Sequence, residues 1–203
     1  MLNKARIAVL VSGGGTNLQA LIDCQAAGQL PHGEIALVIS NRKRAFALER
    51  AANAGIATAV LSKVMEPDPI AYDAKLHDIL KAHNIDMIVL AGFLGILGEK
   101  VLTAYDNRVV NIHPSLIPSF CGMGYYGLRV HEEALKRGVK VTGATAHLVN
   151  LGVDEGPILL QKAVYVQPDD TPETLQLRVM QQAEWIILPE ATEMIAKSIT
   201  DNA

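Results

Sequence analysis

Asn111 and His113 interrupt the aliphatic run "VVNIH" where a core strand would continue with more Val or Ile. With the period of two of a strand, both side chains leave on the same side. An amide and an imidazole together can hold a developing oxyanion and move a proton. "PSLIP" follows at once, so Pro114 and Pro118 stiffen the exit and leave the imidazole on backbone with little freedom. A core histidine satisfied beside a hydrogen-bonded Asn is the plainer alternative. Later in the chain come His147, in an apolar strand-like segment, and Asp154, in the polar loop "NLGVDEGP". Asp154 to Pro157 is by itself an ordinary turn sequence. If that loop folds toward His113, the carboxylate favours the imidazolium and raises its pKa. The pair then becomes a general acid.

Two other chemistries lack their signatures. Ser115 lies near His113, but no Gly-x-Ser-x-Gly elbow exists, since Leu10 holds the first glycine position around Ser12. The histidines at 32, 77, 83, 113, 131 and 147 have no zincin spacing, and Cys24 and Cys121 form no CxxC pair. Neither a metal site nor a disulfide framework is expected.

A second feature is "VLVSGGGTNLQAL", an apolar run, Gly13-Gly14-Gly15, and then a helical pattern opening at Thr16. Glycines there allow positive φ and close approach, and unpaired amides at a helix start attract an anion. A tight strand-to-helix turn is the alternative, and the Thr-Asn opening tips the reading toward phosphate. A dinucleotide fingerprint would need glycine at Leu18 and an acid after the second strand, where Asn41 and Arg42 stand. No Gly-Lys-Ser/Thr of a P-loop follows. A single phosphate monoester fits better. The cluster "NRKR", 41 to 44, is expected to be a solvated face, with added positive potential at the loop as the alternative.

The elements that must position these groups follow from periodicity. Runs at 6 to 12, 34 to 40, 58 to 62, 86 to 92 and 108 to 112 are short and rich in Val and Ile, as in strands buried on both faces of a parallel sheet. Between them, 16 to 27 and 70 to 83 carry apolar residues at helical spacing. The alternation predicts an α/β, Rossmann-like, mostly parallel twisted sheet flanked by helices. "VTGATAHLV" and "ILLQKAVYV" predict an antiparallel strand pair toward the C-terminus. A closing helix follows, capped by Asp170 or Thr171 with Pro172 in its first turn, and Pro189 should kink or break it.

The bulk properties narrow the classes. With 203 residues, one domain spanning 1–203 is expected. A net charge of -3, from 18 basic and 21 acidic residues, offers no excess of cation for a phosphate polymer, so nucleic acid is not an expected partner. No apolar run approaches the roughly 20 residues of a membrane span, so no membrane partner is expected. The short apolar run at the N-terminus leads into the glycine loop and is read as a first strand, not a signal peptide. Two lone thiols fit a reducing cytoplasm.

Taken in order, "RIAVLVSGGGTNLQALID", "IVLAGFLGIL", "VVNIHPSLIPSF", "GATAHLVNLGVDEGPIL" and the Ala-Glu-Trp stretch before Leu188-Pro189 closely resemble the phosphoribosylglycinamide formyltransferases, over nearly the whole chain. The resemblance implies formyl transfer from 10-formyltetrahydrofolate, as co-substrate, to the amine of glycinamide ribonucleotide in purine synthesis. By it, Asn111, His113 and Asp154 match the catalytic trio. Gly13, Gly14, Gly15, Thr16 and Asn17, with Gly92 and Pro114, match the ribonucleotide site, and Glu184 matches the acid that receives the amine. Leu94, Gly95, Ile96 and Leu97, with Asn111, Asn150, Val153 and Asp154, match the folate site. Amine attack on the formyl carbon creates an oxyanion, which Asn111 and a protonated His113 would stabilise.

The chain departs from the family at Pro69 and Gly95, where arginines often stand near the folate. The resemblance therefore does not carry over the family's recognition of the folate tail. "CGMGYYG", 121 to 127, replaces a shorter loop and fits either a mobile flap near the site or a packed surface loop. Methionyl-tRNA formyltransferases carry an additional C-terminal domain and formyltetrahydrofolate hydrolases an N-terminal one, neither of which this length accommodates. The rivals are that hydrolase and a non-catalytic sugar-phosphate-binding module. A monomer or homodimer is expected.

Overall fold

Each of the five Val/Ile runs forms a strand, within a residue or two of its expected bounds. The computed structural model describes residues 4–202. In chain order it has β1 (Ala5–Val11), α1 (Thr16–Ala26), β2 (Gly33–Ser40), α2 (Phe46–Asn53), β3 (Ala57–Val60), α3 (Pro69–Ala82) and β4 (Met87–Leu90). Then come α4 (Glu99–Ala104), β5 (Val109–His113), α5 (Leu128–Arg137), β6 (Val141–Leu148), β7 (Ile158–Tyr165), α6 (Pro172–Val179), a π-helical turn (Met180–Glu184) and α7 (Trp185–Asp201).

The strands form one seven-stranded sheet in the order β3-β2-β1-β4-β5-β6-β7. β1 to β5 are parallel, and β6 runs antiparallel to both β5 and β7. Chain direction across the sheet reverses between β1 and β4, and open α/β sheets bind ligands at such a switch point, beyond the carboxyl ends of the strands. Alternation along β1 divides the core. Ile7, Val9 and Val11 pack with Leu18, Leu21 and Leu188 on one face, and Ala8 and Leu10 pack with Tyr72, Leu76 and Leu80 on the other.

Local chemistry explains the helix starts. Asp68 caps α3 by accepting from the Ile70 amide at 3.1 Å, with Pro69 in the first turn. Of the two expected caps on α6, Thr171 is the one used, in a capping box with Thr174. Asp170 instead binds Arg178 through two contacts of 2.5 and 2.6 Å. Pro189 does not break its helix, one of the two outcomes the sequence suggested. It lies buried inside α7, and the departure from α geometry falls upstream, in the π turn. Proline loses only one hydrogen bond to the carbonyl four residues before it, here at the first residue of α7, where the wider turn already ends. Among the described residues, no helix is long and apolar enough to cross a membrane.

Candidate active site

β5 presents Asn111 and His113 at its carboxyl end, and the antiparallel register sets Asn111 opposite His147 and His113 opposite Thr145. The loop between β6 and β7 brings Asp154 over both. Its Oδ2 lies 3.4 Å from His113 Nδ1 and accepts from the Gly122 amide at 2.9 Å. Its Oδ1 lies 3.5 Å from Asn111 Nδ2 and 3.6 Å from His147 Nε2. The two distant chain segments therefore converge. Asp154 takes φ 59 and Phe120, whose carbonyl accepts from His113 Nε2 at 2.9 Å, takes φ 50. Asp tolerates left-handed backbone, but at Phe120 it is costly, and such strain concentrates at functional sites.

Electrostatics corrects one expectation. His113 is 4% exposed, and burial pulls its pKa below the ordinary value. Asp154 pulls upward, as the sequence suggested, but desolvation is the larger effect. Asp154 itself is raised by burial and drawn down further by its two imidazole neighbours and the Gly122 amide, leaving it an ionised carboxylate. Glu184 is buried, accepts from Asn17 Nδ2 at 2.7 Å, and is pushed up to about 7 by burial.

The glycine loop joins β1 to α1 across the switch point. Gly15 caps α1 at φ 74, and a Cβ there would stand 2.6 Å from Ala47 Cβ. The Gly13 and Gly14 carbonyls accept from the Ala47 amide at 3.1 Å and Arg50 Nε at 2.8 Å, which anchors the loop on α2. The first amides of α1 have no partner within the helix and can serve an anion. Ser12 Oγ accepts from the Leu94 amide at 2.8 Å, tying the loop after β4 to the end of β1.

These pieces line one cleft of about 800 Å³. Gly14, Gly15, Thr16, Asn17, Gly92, Pro114 and Glu184 lie on it, as do Leu94, Gly95, Ile96, Val153 and the cluster at Asn111, His113 and Asp154. Three expected residues do not. Leu97 is buried in the core with Tyr72 and Leu76. Gly13 is turned to α2, and the Asn150 side chain accepts from Gly152 N at 3.0 Å on the surface. The "CGMGYYG" segment walls the cleft from Gly122 to Gly127. Of the basic cluster only Arg42 reaches the lining. A larger groove, about 920 Å³, runs between α1, α2 and α7, and holds none of the cluster. His147 is the functional neighbour that sequence reading left unassigned, because only the strand register sets it against Asn111.

An amide, an imidazole and a carboxylate at the switch point of a doubly wound sheet, next to a glycine-rich helix start, define a class: α/β domains that bind a small anionic ligand and stabilise negative charge developing on it. The chain belongs to the formyl transferase family, whose sequence profile matches residues 5–192. It is 42% identical over 193 residues to the trifunctional purine biosynthetic protein adenosine-3 of Drosophila melanogaster, covering 95% of this chain and 14% of that protein. It is 37% identical over 180 residues to the chloroplastic phosphoribosylglycinamide formyltransferase of Arabidopsis thaliana, covering 88% of this chain and 61% of the relative. The crystal structure of glycinamide ribonucleotide transformylase 1 from Symbiobacterium toebii superposes with a TM-score of 0.89 at 44% identity, covering 96% of this chain and 89% of that one.

Proposed function

We propose that this formyl transferase domain, spanning 1–203, moves the formyl group of 10-formyltetrahydrofolate to the amine of 5′-phosphoribosylglycinamide in purine biosynthesis. The observation that carries the reading is the approach of Asp154 to His113, Asn111 and His147 within 3.4 to 3.6 Å, on the same cleft as Gly15, Thr16 and Asn17. The cleft suits both substrates. Leu94 and Ile96, 49% and 63% exposed, offer an apolar wall to a pterin, and the buried Asn17 Oδ1 has no partner in the protein.

The folate supplies an activated formyl carbon when bound. The amides at Gly14 to Thr16 hold the ribonucleotide phosphate, with Gly92 and Pro114 beside the sugar. Glu184, poised near neutrality by burial, accepts a hydrogen bond from the amine. Asn111 donates an amide N–H to the oxyanion. His113 donates from Nε2, the nitrogen now given to the Phe120 carbonyl. The intermediate collapses by breaking the bond from the formyl carbon to the folate nitrogen, the amine giving up one proton and the folate nitrogen gaining one. Asp154 beside Nδ1 stabilises the imidazolium during that transfer. Val153 stands on the folate side, in the loop whose surface turn Asn150 holds by accepting from Gly152 N. The two free thiols, Cys24 and Cys121, suit a reducing compartment such as the cytoplasm, which fractionation checks, and a monomer or homodimer is the state that sedimentation checks.

Incubation with glycinamide ribonucleotide and a formylfolate, followed optically, should show folate product only when both are present. His113→Ala should lower kcat on the order of a hundredfold to a thousandfold. Tight ribonucleotide binding without folate product would instead identify a binding module, and folate consumption without the ribonucleotide a hydrolase.

A further inference from the structure

We infer that His147 is a positioning residue, whose imidazole fixes the Asn111 amide so that one N–H is left for the reacting oxygen. The inference rests on the transferase reading above and goes beyond it, since His147 lies behind the cleft lining and is none of the residues given a role there.

Its side chain is 2% exposed, and its hydrogen bonds assign its tautomer. Nδ1 lies 2.8 Å from the Leu148 carbonyl, which can only accept, so Nδ1 carries the proton. A neutral imidazole then has a bare lone pair on Nε2. That lone pair faces Asn111 Nδ2 at 3.0 Å and accepts from it.

The opposite orientation of the amide fails on the same contacts. It would set Asn111 Oδ1 at 3.5 Å from Asp154 Oδ1, acceptor against acceptor, beside an ionised carboxylate. The NH₂ end is therefore selected from two sides, by a lone pair on β6 and by a carboxylate from the following loop.

Two N–H bonds leave that nitrogen. One is committed to His147 at 3.0 Å, a normal hydrogen bond. The other points toward Asp154 Oδ1 at 3.5 Å, the outer limit of such a bond. The second is the exchangeable one, and a closer, negatively charged oxygen in the cleft takes it over. Without His147, the amide is free to rotate both N–H bonds onto Asp154, or to turn its oxygen toward the place where negative charge develops, which raises the barrier without altering the cleft walls.

His147→Leu removes the lone pair, and His147→Gln returns an acceptor near the position of Nε2. In the formyl transfer assay, the Leu variant should lose kcat on the order of tenfold to a hundredfold with KM for both substrates nearly unchanged, the pattern of an interaction made only in the transition state. The Gln variant should recover most of the loss at a similar melting temperature. Ring ¹⁵N NMR of the unmutated protein should find His147 protonated on Nδ1 and bare on Nε2. A Leu variant with full kcat, a Gln variant as impaired as Leu while equally folded, or a proton on Nε2 would each overturn the inference. An unmutated protein with no turnover would overturn the transferase reading instead, and with it the role assigned to the free N–H.

Discussion

His113 stands between two opposed influences, and the balance decides how it works. Burial among the β5 exit and the Phe120 segment disfavours the charged ring, while Asp154 at 3.4 Å favours it. Removing the charge without the shape, by Asp154→Asn, takes away only the upward pull. The His113 pKa should then fall further below its ordinary value, read by NMR titration of its ring. Turnover should fall on the order of a hundredfold or more, as for loss of a proton-transfer partner. A His113 pKa that rose in the variant would show that Asp154 does not act through charge. At this scale the sequence was informative where polarity interrupted an aliphatic pattern: Asn111 and His113 stood out for that reason, and Asp154 did so through its loop. The sign of the His113 shift was not legible, because desolvation depends on tertiary burial of the ring, including the Phe120 carbonyl on Nε2. Nor was the role of His147, since period two places it on the right face of β6 but cannot say which β5 residue it meets.

The start of α1 shows how an element aims its amides. Gly15 takes φ 74 at the helix cap, and its missing side chain is what lets α2 approach, since a Cβ would stand 2.6 Å from Ala47 Cβ and 2.8 Å from its Cα. At Gly13 a Cβ would meet nothing within 4 Å beyond its own chain neighbours. Gly15→Ala should therefore cost about 1–3 kcal/mol in denaturant unfolding and raise KM for the ribonucleotide, because the loop or α2 must move. Gly13→Ala should stay within about 0.5 kcal/mol of the unmutated protein. Equal effects of the two would remove the case for Gly15 as the shaping residue. The strands and the starts of α1 and α6 were legible because aliphatic runs, Thr16 and Thr171-Pro172 are local signals, whereas α3 was read from its apolar spacing and its Asp68-Pro69 start was not. The short helices α2, α4 and α5 were not singled out. The π turn has none in composition, yet it ends at Glu184 and sets which residues of the last helical segment meet the cleft. Proline drew attention to position 189 instead, where the helix absorbs it.

For the molecule as a whole, two buried groups give stability opposite responses to pH. His131 is fully buried on α5, neither ring nitrogen has a partner, and burial, with His113 adding to it, lowers its pKa to about 4 from an ordinary 6.5. Between those values the unfolded chain binds a proton that the folded one refuses. Its contribution is thus complete above about 6.5 and is lost as pH falls to about 4. Glu184 is the reverse, raised by burial to about 7 from an ordinary 4.5. Here the folded protein keeps a proton that the unfolded chain releases, so the contribution is complete below about 4.5 and is lost as pH rises to about 7. At about 1.4 kcal/mol per pH unit, each amounts to about 3 kcal/mol, and over most of the shared window the two slopes offset each other. His113 leans the same way as His131. Single variants should uncover what the pair hides. Measured by urea unfolding from pH 4 to 7.5, the stability of Glu184→Gln relative to the unmutated protein should climb by about 3 kcal/mol between pH 4.5 and 7. That of His131→Leu should decline by a similar amount from pH 4 to 6.5, because the unmutated protein recovers there and the variant has nothing to recover. A flat difference for Glu184→Gln would mean that its carboxyl titrates as an exposed one does, which would also remove it as the near-neutral acceptor assigned to the substrate amine.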